Sequence, residues 1–154
     1  MTDAPTFVVS SDPGLLDRER VHRWICDESY WAAGRPVDTQ DRAIDGSRCY
    51  AAYRTADGEP GEQVGFARVV TDGATFAWLC DVYVDASARG LGVGSALVEQ
   101  AITDLGALGV KRILLATRDA HEVYARQGFT PLAAPDTWME RDVRRLAAPP
   151  AAPR

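Results

Sequence analysis

The chain has 154 residues, which is long enough to bury a substantial core and too short for two ordinary domains. Hydrophobic residues make up 46% of the chain and charged residues 25%, proportions that exclude a disordered chain and a disulfide scaffold. The formal net charge of −5 argues against a general nucleic-acid-binding protein, which needs a basic face to neutralise phosphates. An acidic surface instead favours cationic ligands such as amines.

The N-terminal segment has no basic region followed by an apolar run, and no uncharged apolar stretch is long enough to span a bilayer. We therefore expect a cytoplasmic protein that does not bind membranes. Cys26, Cys49 and Cys80 are odd in number and far apart, and neither histidine has a second ligand at metal-binding spacing, so no metal site is predicted. We expect one domain over residues 1–146 and a flexible Ala/Pro tail over 147–154.

Turn signals in the first half of the chain separate short β-branched runs from amphipathic segments. A strand is predicted at 6–10, a helix from about 15 to 28 capped near Ser11 or Asp12, and a short helix at 38–44. Three alternating runs joined by Gly-rich turns then predict strands at 48–55, 62–71 and 75–84, with Gly65 as a candidate bulge. These three strands would form an antiparallel meander.

The second half of the chain begins with a helix that carries apolar residues at spacings of four and three and ends at Gly109. A strand at 111–117 follows, so strand, helix and strand predict a right-handed crossover between parallel strands. A short helix at 120–127, a strand from Phe129 and a last strand at 138–143 complete the prediction. The expected fold is mixed α/β, with a sheet of about six to seven strands, one parallel crossover after the meander, and helices on both faces.

The stretch 76–95, FAWLCDVYVDASARGLGVGS, combines an apolar strand with alternating glycines that open directly into a helix. Backbone N–H groups at a helix N-terminus bind anions, and glycines let an anion approach closely. A Walker loop is excluded because no lysine follows Gly94, and a dinucleotide fingerprint would need glycine where Ser95 stands. A purely structural alternative is that the glycines allow the helix to pack closely on the sheet.

The spacing of Arg89, Gly92 and Gly94, with the preceding strand LCDVYV, resembles the acyl-CoA pyrophosphate loop of the GNAT N-acetyltransferase superfamily. A second motif supports the resemblance, since Tyr124 precedes Gly-Phe at 128–129 as the family's late tyrosine does. The resemblance is strongest over 75–129. It departs from the family pattern at Thr117, where the family often has asparagine to bond the pantetheine.

The resemblance implies a binding site for acetyl-CoA as co-substrate. The pantetheine would run as a pseudo-strand along Val82, Tyr83 and Val84, with a bond from Thr117, and the N–H of Val82 or Tyr83 would bond the thioester carbonyl. The pyrophosphate would lie on the backbone of Arg89, Gly90, Leu91, Gly92, Val93, Gly94 and Ser95. Arg89 would add charge there or, alternatively, form a salt bridge at the helix start or remain solvated.

Two side chains are candidates for catalysis. Tyr124, whose phenol has a reference pKa near ~10, is suited to protonate the departing thiolate, and it could otherwise simply pack the short helix. In the family the base is often a carboxylate on the first parallel strand, and here Asp81 is the only one inside an otherwise apolar run. Because an unpaired buried charge is costly, Asp81 is either this base or a structural residue bonded to backbone or to an arginine. His121 is a weaker candidate.

The expected function is acetyl-CoA-dependent N-acetyl transfer to a primary amine by direct attack in a ternary complex. The alternative is a non-catalytic acyl-CoA-binding or regulatory module that keeps the loop without the chemistry. The sequence does not identify the acceptor, for which a small-molecule amine is the first expectation. Tyr30 and Trp31 either wall an acceptor pocket or fill the core. A homodimer is common among similar proteins and is left open by a single sequence.

Overall fold

A computed structural model describes residues 6–146, which fall into two units, one ending at Asp119 and one beginning at Ala120. The predicted tail at 147–154 lies outside the described residues. The single domain expected over 1–146 stays a prediction, and the two units are described separately below.

The first unit is built on a five-stranded sheet whose strands follow one another in chain order. They are β1 (Phe7–Ser10), β2 (Arg48–Ala56), β3 (Glu59–Thr71), β4 (Ala77–Val84) and β5 (Ile113–Leu114). β1 to β4 pair antiparallel and β4 pairs parallel with β5. The predicted fold class, a meander followed by one parallel crossover, is confirmed, with five strands in place of the expected six to seven.

The parallel pairing of β4 with β5 covers only two residue pairs, Ala77 with Ile113 and Trp78 with Leu114. The strand predicted at 111–117 is therefore much shorter than expected. Within residues 6–146, the edge of β4 from Leu79 onward has no strand partner on the side of β5. The two strands are thus joined at one end only.

Three helices of the first unit pack against this sheet. They are α1 (Arg18–Arg23), extended by a π-helical turn at Trp24–Glu28, α2 (Val37–Asp45) and α3 (Val93–Ala107). Apolar residues of α1 and its π-turn form one cluster with Phe66 and Tyr83. Val93 and Leu97 of α3 instead lie against Gly65, which precedes Phe66 and so faces the other side of the sheet. Helices on both faces are therefore confirmed.

The N-terminal cap of α1 differs from the prediction. Asp12 caps only a 3₁₀ turn at Pro13–Leu15, whose end is marked by extended backbone at Leu16. The chain re-enters a helix after Asp17, whose side chain accepts a hydrogen bond from the N–H of Arg20 at 3.0 Å. The single helix predicted from about 15 to 28 is thus divided because two aspartates in succession each cap a short helical segment.

The candidate bulge near Gly65 is confirmed as a register shift in the β2–β3 pair. Ala52 lies opposite Gly65, whereas the next residue, Tyr53, lies opposite Gln63. β3 therefore carries one extra residue, Val64, at this point.

The second unit, from Ala120 to the end of the described residues, consists of short helices and loops. It contains α4 (His121–Ala125), a 3₁₀ turn at Pro135–Thr137 and α5 (Val143–Leu146). The strands predicted from Phe129 and over 138–143 are wrong, since neither segment forms a strand. Prolines at 131 and 135 cannot donate to a sheet ladder, which disfavours strand pairing here.

In residues 6–146 there is no helix whose length and hydropathy together would suit a membrane crossing.

Candidate active site

The loop between β4 and α3 has the geometry of an anion cradle. Gly90 and Gly92 have φ of 80° and 81°, the left-handed region that favours glycine. Gly92 is the N-cap of α3 and provides no capping side chain, and the first intrahelical bond runs from the N–H of Ala96 to the carbonyl of Gly92 at 3.0 Å. The N–H groups of Val93 and Gly94 therefore have no acceptor within the helix. Such N–H groups, with the helix dipole behind them, favour an anion.

Close packing does not explain these glycines. A Cβ placed on Gly90 or Gly92 would meet nothing within 4 Å, and one on Gly94 would lie 3.5 Å from Val84 Cγ2, an ordinary contact. The residue that α3 approaches closely is Gly65, on β3. Gly90 and Gly92 are thus required by backbone conformation, and the absence of side chains at all three glycines leaves space beside the helix start.

Arg89 links this loop to the end of β4. Its Nε donates to the carbonyl oxygen of Val84 at 3.2 Å, and its Nη2 donates to the Tyr83 hydroxyl at 3.3 Å. The guanidinium carbon lies 5.7 Å from the centroid of the Tyr83 ring. The exposed guanidinium is therefore hydrogen-bonded to the end of β4, and among residues 6–146 it forms no salt bridge at the helix start.

Tyr83 is buried at the end of β4 and is held from several sides. Its ring stacks on Trp24 with centroids 5.4 Å apart, and its hydroxyl donates to the carboxylate of Glu28. Burial, followed by the Glu28 hydrogen bond, raises the pKa of Tyr83 to about 12. Glu28 was not identified from the sequence, because its role depends on the π-turn that ends α1 beside β4.

Asp81 occupies an irregular position in β4. Cys80 lies opposite Arg68 and Tyr83 opposite Phe66, so two residues of β4 face only one residue of β3. The φ of Asp81 is 50°, one of two positive values among the non-glycine residues described. β4 is therefore bulged at Asp81, and the dihedral angles of this residue set the direction of the next peptide and of the Val82 N–H.

The carboxylate of Asp81 is 2% exposed and has three partners. Oδ2 accepts from Arg35 Nη1 at 2.8 Å and from Arg68 Nε at 2.8 Å, and Oδ1 accepts from Trp31 Nε1 at 2.9 Å. Burial raises the pKa of Asp81, but the hydrogen bonds and charges of the two guanidinium groups outweigh it, so the pKa is lower than usual. This geometry matches the structural alternative, in which an arginine partners the carboxylate, and makes Asp81 a weak base. Its assignment as the base stays a prediction.

The two arginines connect Asp81 to further elements. Arg35 Nη1 also donates to Gln40 Oε1 on α2 at 2.8 Å, and Arg68 Nη1 donates to Ser47 Oγ at 3.0 Å. Neither arginine was singled out in the sequence. Arg68 carried a signal, since it is a charged residue within the apolar run of β3, whereas Arg35 lies in a Gly-Arg-Pro turn that indicates only a loop.

The aromatic pair Tyr30 and Trp31 lies on the surface of the loop that follows the π-turn. The two residues are 48% and 39% exposed and meet edge to face, with centroids 5.1 Å apart. The guanidinium of Arg118 lies 3.8 Å from the centroid of the Tyr30 ring, and the Arg118 N–H donates to the Tyr30 hydroxyl at 3.3 Å. Filling the core is therefore excluded as the role of this pair, and the pocket-wall interpretation remains.

The other candidate residues are spread over both units. Thr117 lies in the first unit, three residues after β5. Tyr124 and His121 lie on α4 of the second unit, where the Tyr124 ring packs edge to face on Phe129 with centroids 5.8 Å apart. The first unit thus brings together Asp81, the segment 82–84 and the glycine loop. Within residues 6–146, no group of three or more His, Cys, Asp or Glu side chains could hold a metal ion.

Comparison with known proteins agrees with this geometry. The model of the Acetyltransferase (GNAT) family matches residues 18–129. FG08082 of Gibberella zeae, which is provisionally named as an acetyltransferase, is 30% identical over 135 residues. The aligned region covers 78% of this chain and 76% of that protein. Serotonin N-acetyltransferase 2 of Oryza sativa subsp. japonica is 38% identical over 74 residues, or 48% of this chain and 37% of that protein.

The chain is also similar to solved structures, including one of a GNAT-family protein. A GNAT-family protein from Xanthomonas campestris pv. campestris is 44% identical, with a TM-score of 0.80 over 90% of this chain and 94% of that one. Rv2747 of Mycobacterium tuberculosis, solved in complex with CoA, is 20% identical, with a TM-score of 0.63 over 82% of this chain and 76% of that one. The second likeness concerns the fold alone.

Proposed function

This chain belongs to the GNAT family of acetyltransferases, and we propose that it transfers the acetyl group of acetyl-CoA to a primary amine. The family implies acyl-CoA-dependent acetyl transfer; the amine acceptor and direct attack in a ternary complex are the parts proposed here. The observation that carries the proposal is the start of α3, which no side chain caps and which left-handed Gly90 and Gly92 precede. It follows β4, whose edge from Leu79 onward has no strand partner on the side of β5 within residues 6–146.

Acetyl-CoA fits the residues present. The N–H groups of Val93 and Gly94, which have no acceptor within the helix, suit the pyrophosphate, and the edge of β4 from Leu79 onward offers backbone groups to an extended pantetheine. Bound acetyl-CoA would supply a thioester whose carbonyl carbon is open to attack by an amine. The residues proposed to hold it are Val82, Tyr83, Val84, Arg89, Gly90, Leu91, Gly92, Val93, Gly94, Ser95 and Thr117.

The backbone of β4 and one tyrosine would supply the chemistry. The N–H of Val82 or Tyr83 would donate to the carbonyl oxygen, where negative charge develops. Tyr124 would donate the proton that the leaving thiolate requires, because the reference pKa of a phenol, near ~10, is reasonably matched to that of a thiol, near ~8.5.

Direct attack is favoured over a covalent cysteine intermediate. Burial is the main reason that the pKa of Cys49 and of Cys80 is raised to about 11, and it also raises the pKa of Cys26. At neutral pH these side chains are protonated thiols, whereas a nucleophilic cysteine must be a thiolate.

The acceptor is proposed to be a small-molecule amine. The exposed rings of Tyr30 and Trp31 offer flat apolar surface, and the net charge of −5 favours a cationic amine over an anionic ligand. A cytoplasmic location and a homodimer stay predictions, as does the absence of nucleic-acid and membrane partners.

The Tyr124→Phe variant tests the proposed acid. We expect kcat to fall by about 10²-fold or more, with little change in acetyl-CoA affinity, because only the proton donor is removed. Thiol release from acetyl-CoA is measured with a panel of primary amines. Tyr53→Phe is the matched control, since it removes a buried hydroxyl that has no hydrogen-bond partner among the described residues.

Unchanged turnover in Tyr124→Phe would remove this residue from the mechanism. Acetyl-CoA binding by the wild-type chain without turnover on any amine would instead support the second candidate, a non-catalytic acyl-CoA-binding or regulatory module.

A further inference from the structure

The carboxylate of Asp81 joins three separate parts of the first unit. It accepts hydrogen bonds from Trp31 and Arg35, which belong to the loop at residues 29–36, and from Arg68, which belongs to β3. These donors lie 50, 46 and 13 residues away along the chain. A single side chain on β4 therefore attaches the loop that carries the exposed aromatic pair to the sheet.

The backbone at Asp81 adds a second role. A non-glycine residue with positive φ is uncommon, and it persists only where its surroundings hold it. Here the φ of 50° coincides with the register shift that leaves Asp81 and Val82 facing only Ala67. Because the extra residue of a bulge leaves the ladder locally unpaired, the conformation of Asp81 decides where the Val82 N–H points.

The charges around Asp81 are unsuited to a proton acceptor. Arg35 and Arg68 together carry two positive charges against one carboxylate, and their side chains are only 21% and 12% exposed. A carboxylate in such a site is held in its charged form. Because desolvation offsets much of the attraction within a buried ion pair, stability alone is a weak explanation for Asp81 and its two arginines.

We propose that Asp81 is a positioning residue of the acetyl-transfer site: its left-handed backbone directs the Val82 N–H towards the thioester, and its carboxylate attaches the loop at 29–36, which faces the acceptor, to β4. This inference rests on the proposed function. In this inference Asp81 helps to position both the thioester and the amine acceptor, but it does not accept the proton of the amine.

Three replacements of Asp81 separate its two roles. Asp81→Gly removes the carboxylate but accepts positive φ, Asp81→Ala removes the carboxylate and disfavours positive φ, and Asp81→Asn keeps the shape without the charge.

The first readout does not depend on turnover. The NMR chemical shift of the Val82 amide is measured in ¹⁵N-labelled protein, and the CoA-bound form is compared with the acetyl-CoA-bound form. We expect the shift difference to persist in wild type and Asp81→Gly, and to fall by at least half in Asp81→Ala.

Kinetics supply the second readout. We expect kcat of Asp81→Ala to be about tenfold below that of Asp81→Gly, because alanine resists the left-handed conformation. In Asp81→Gly the KM for the amine should rise, since the loop loses its anchor. In Asp81→Asn the rising limb of the pH profile should keep its midpoint, because the group that titrates is not Asp81.

Trp31→Phe is a milder variant that changes only the loop side, since it removes the indole N–H from an exposed ring. It should raise the KM for the amine and leave the Val82 shift difference intact, and it remains informative if replacements of Asp81 reduce folding.

The backbone role would be overturned if Asp81→Gly and Asp81→Ala had equal Val82 shift differences and equal kcat. Loss of the rising limb of the pH profile in Asp81→Asn would show that Asp81 is the base. If the wild-type chain turns over no amine, the proposed function fails, while the Val82 shift comparison still decides the inference.

Discussion

Gly65 is the residue at which α3 and the sheet come closest. A Cβ placed on it would lie 2.8 Å from Val93 Cγ1 and 3.0 Å from Leu97 Cδ1, both on α3. We expect Gly65→Ala to lower the free energy of unfolding by about 1–3 kcal/mol, since the helix must move away from β3 to admit the methyl group. Urea denaturation followed by circular dichroism measures the change.

Gly106→Ala is the matched control for this replacement. Gly106 lies within α3, and a Cβ there would meet nothing within 4 Å, so alanine should stabilise the helix by up to about 1 kcal/mol. Equal stability of Gly65→Ala and wild type would mean that α3 does not pack this tightly on β3.

Residues whose role follows from their own type could be predicted, and residues whose role depends on distant partners could not. Gly90 and Gly92 were recognisable because glycines before a helix let an anion approach closely, and the structure adds that both have positive φ. Asp81 was recognisable as an unusual charge in an apolar strand. Its partners were not, because Arg35 and Arg68 reach it only through the fold. Sequence reasoning therefore located the anomaly and left its two explanations open.

At the scale of elements, local turn chemistry was the reliable guide. The β2–β3 hairpin closes on Asp57-Gly58, both with positive φ, within the Gly-rich turn predicted between the strands at 48–55 and 62–71. β5 is shorter than its apolar run, and the strands expected after Phe129 do not form. Strand pairing depends on a partner elsewhere in the chain, and a run of suitable residues does not reveal whether one is present.

The turn between β3 and β4 depends on one carboxylate. Asp72 Oδ2 accepts from the Thr75 hydroxyl at 2.6 Å, and Oδ1 accepts from the N–H groups of Thr75 and Ala74, each at 2.8 Å. These bonds, the Thr75 hydroxyl first, hold the pKa of Asp72 well below its usual range. A depressed pKa in the folded state stabilises the fold above the unfolded pKa near ~4, and this contribution is lost as the pH falls through the folded value.

We therefore expect Asp72→Asn to be less stable than wild type at pH 7 and the difference to shrink towards pH 2. Thermal unfolding midpoints at pH 7, 4 and 2 measure it. Asp57→Asn is the control, because Asp57 also lies in a hairpin turn and asparagine accepts its φ of 52°. A stability difference that stays constant with pH would show that the Asp72 carboxylate is not what holds the turn.

At the scale of the whole molecule, the buried core and the proposed acetyl-CoA site share one unit. Among residues 6–146, every buried hydrophobic residue lies at or before Leu114. The segment 82–84, the glycine loop and Thr117 also precede Asp119, where the first unit ends. Tyr124, the proposed acid, belongs to the second unit. The residues proposed to hold acetyl-CoA thus lie in the first unit, and the proposed acid lies in the second.

A fragment of residues 1–119 tests this division. Because it keeps the sheet, α1 to α3 and their core, we expect it to unfold cooperatively and to bind acetyl-CoA in calorimetry with an affinity close to that of the full chain. Its turnover should fall by about 10²-fold or more, as in full-length Tyr124→Phe, because both lack the same proton donor. A fragment of residues 1–146, which lacks only the predicted tail, is the control and should keep both binding and turnover. Loss of acetyl-CoA binding by a folded 1–119 fragment would place part of the cofactor site in the second unit.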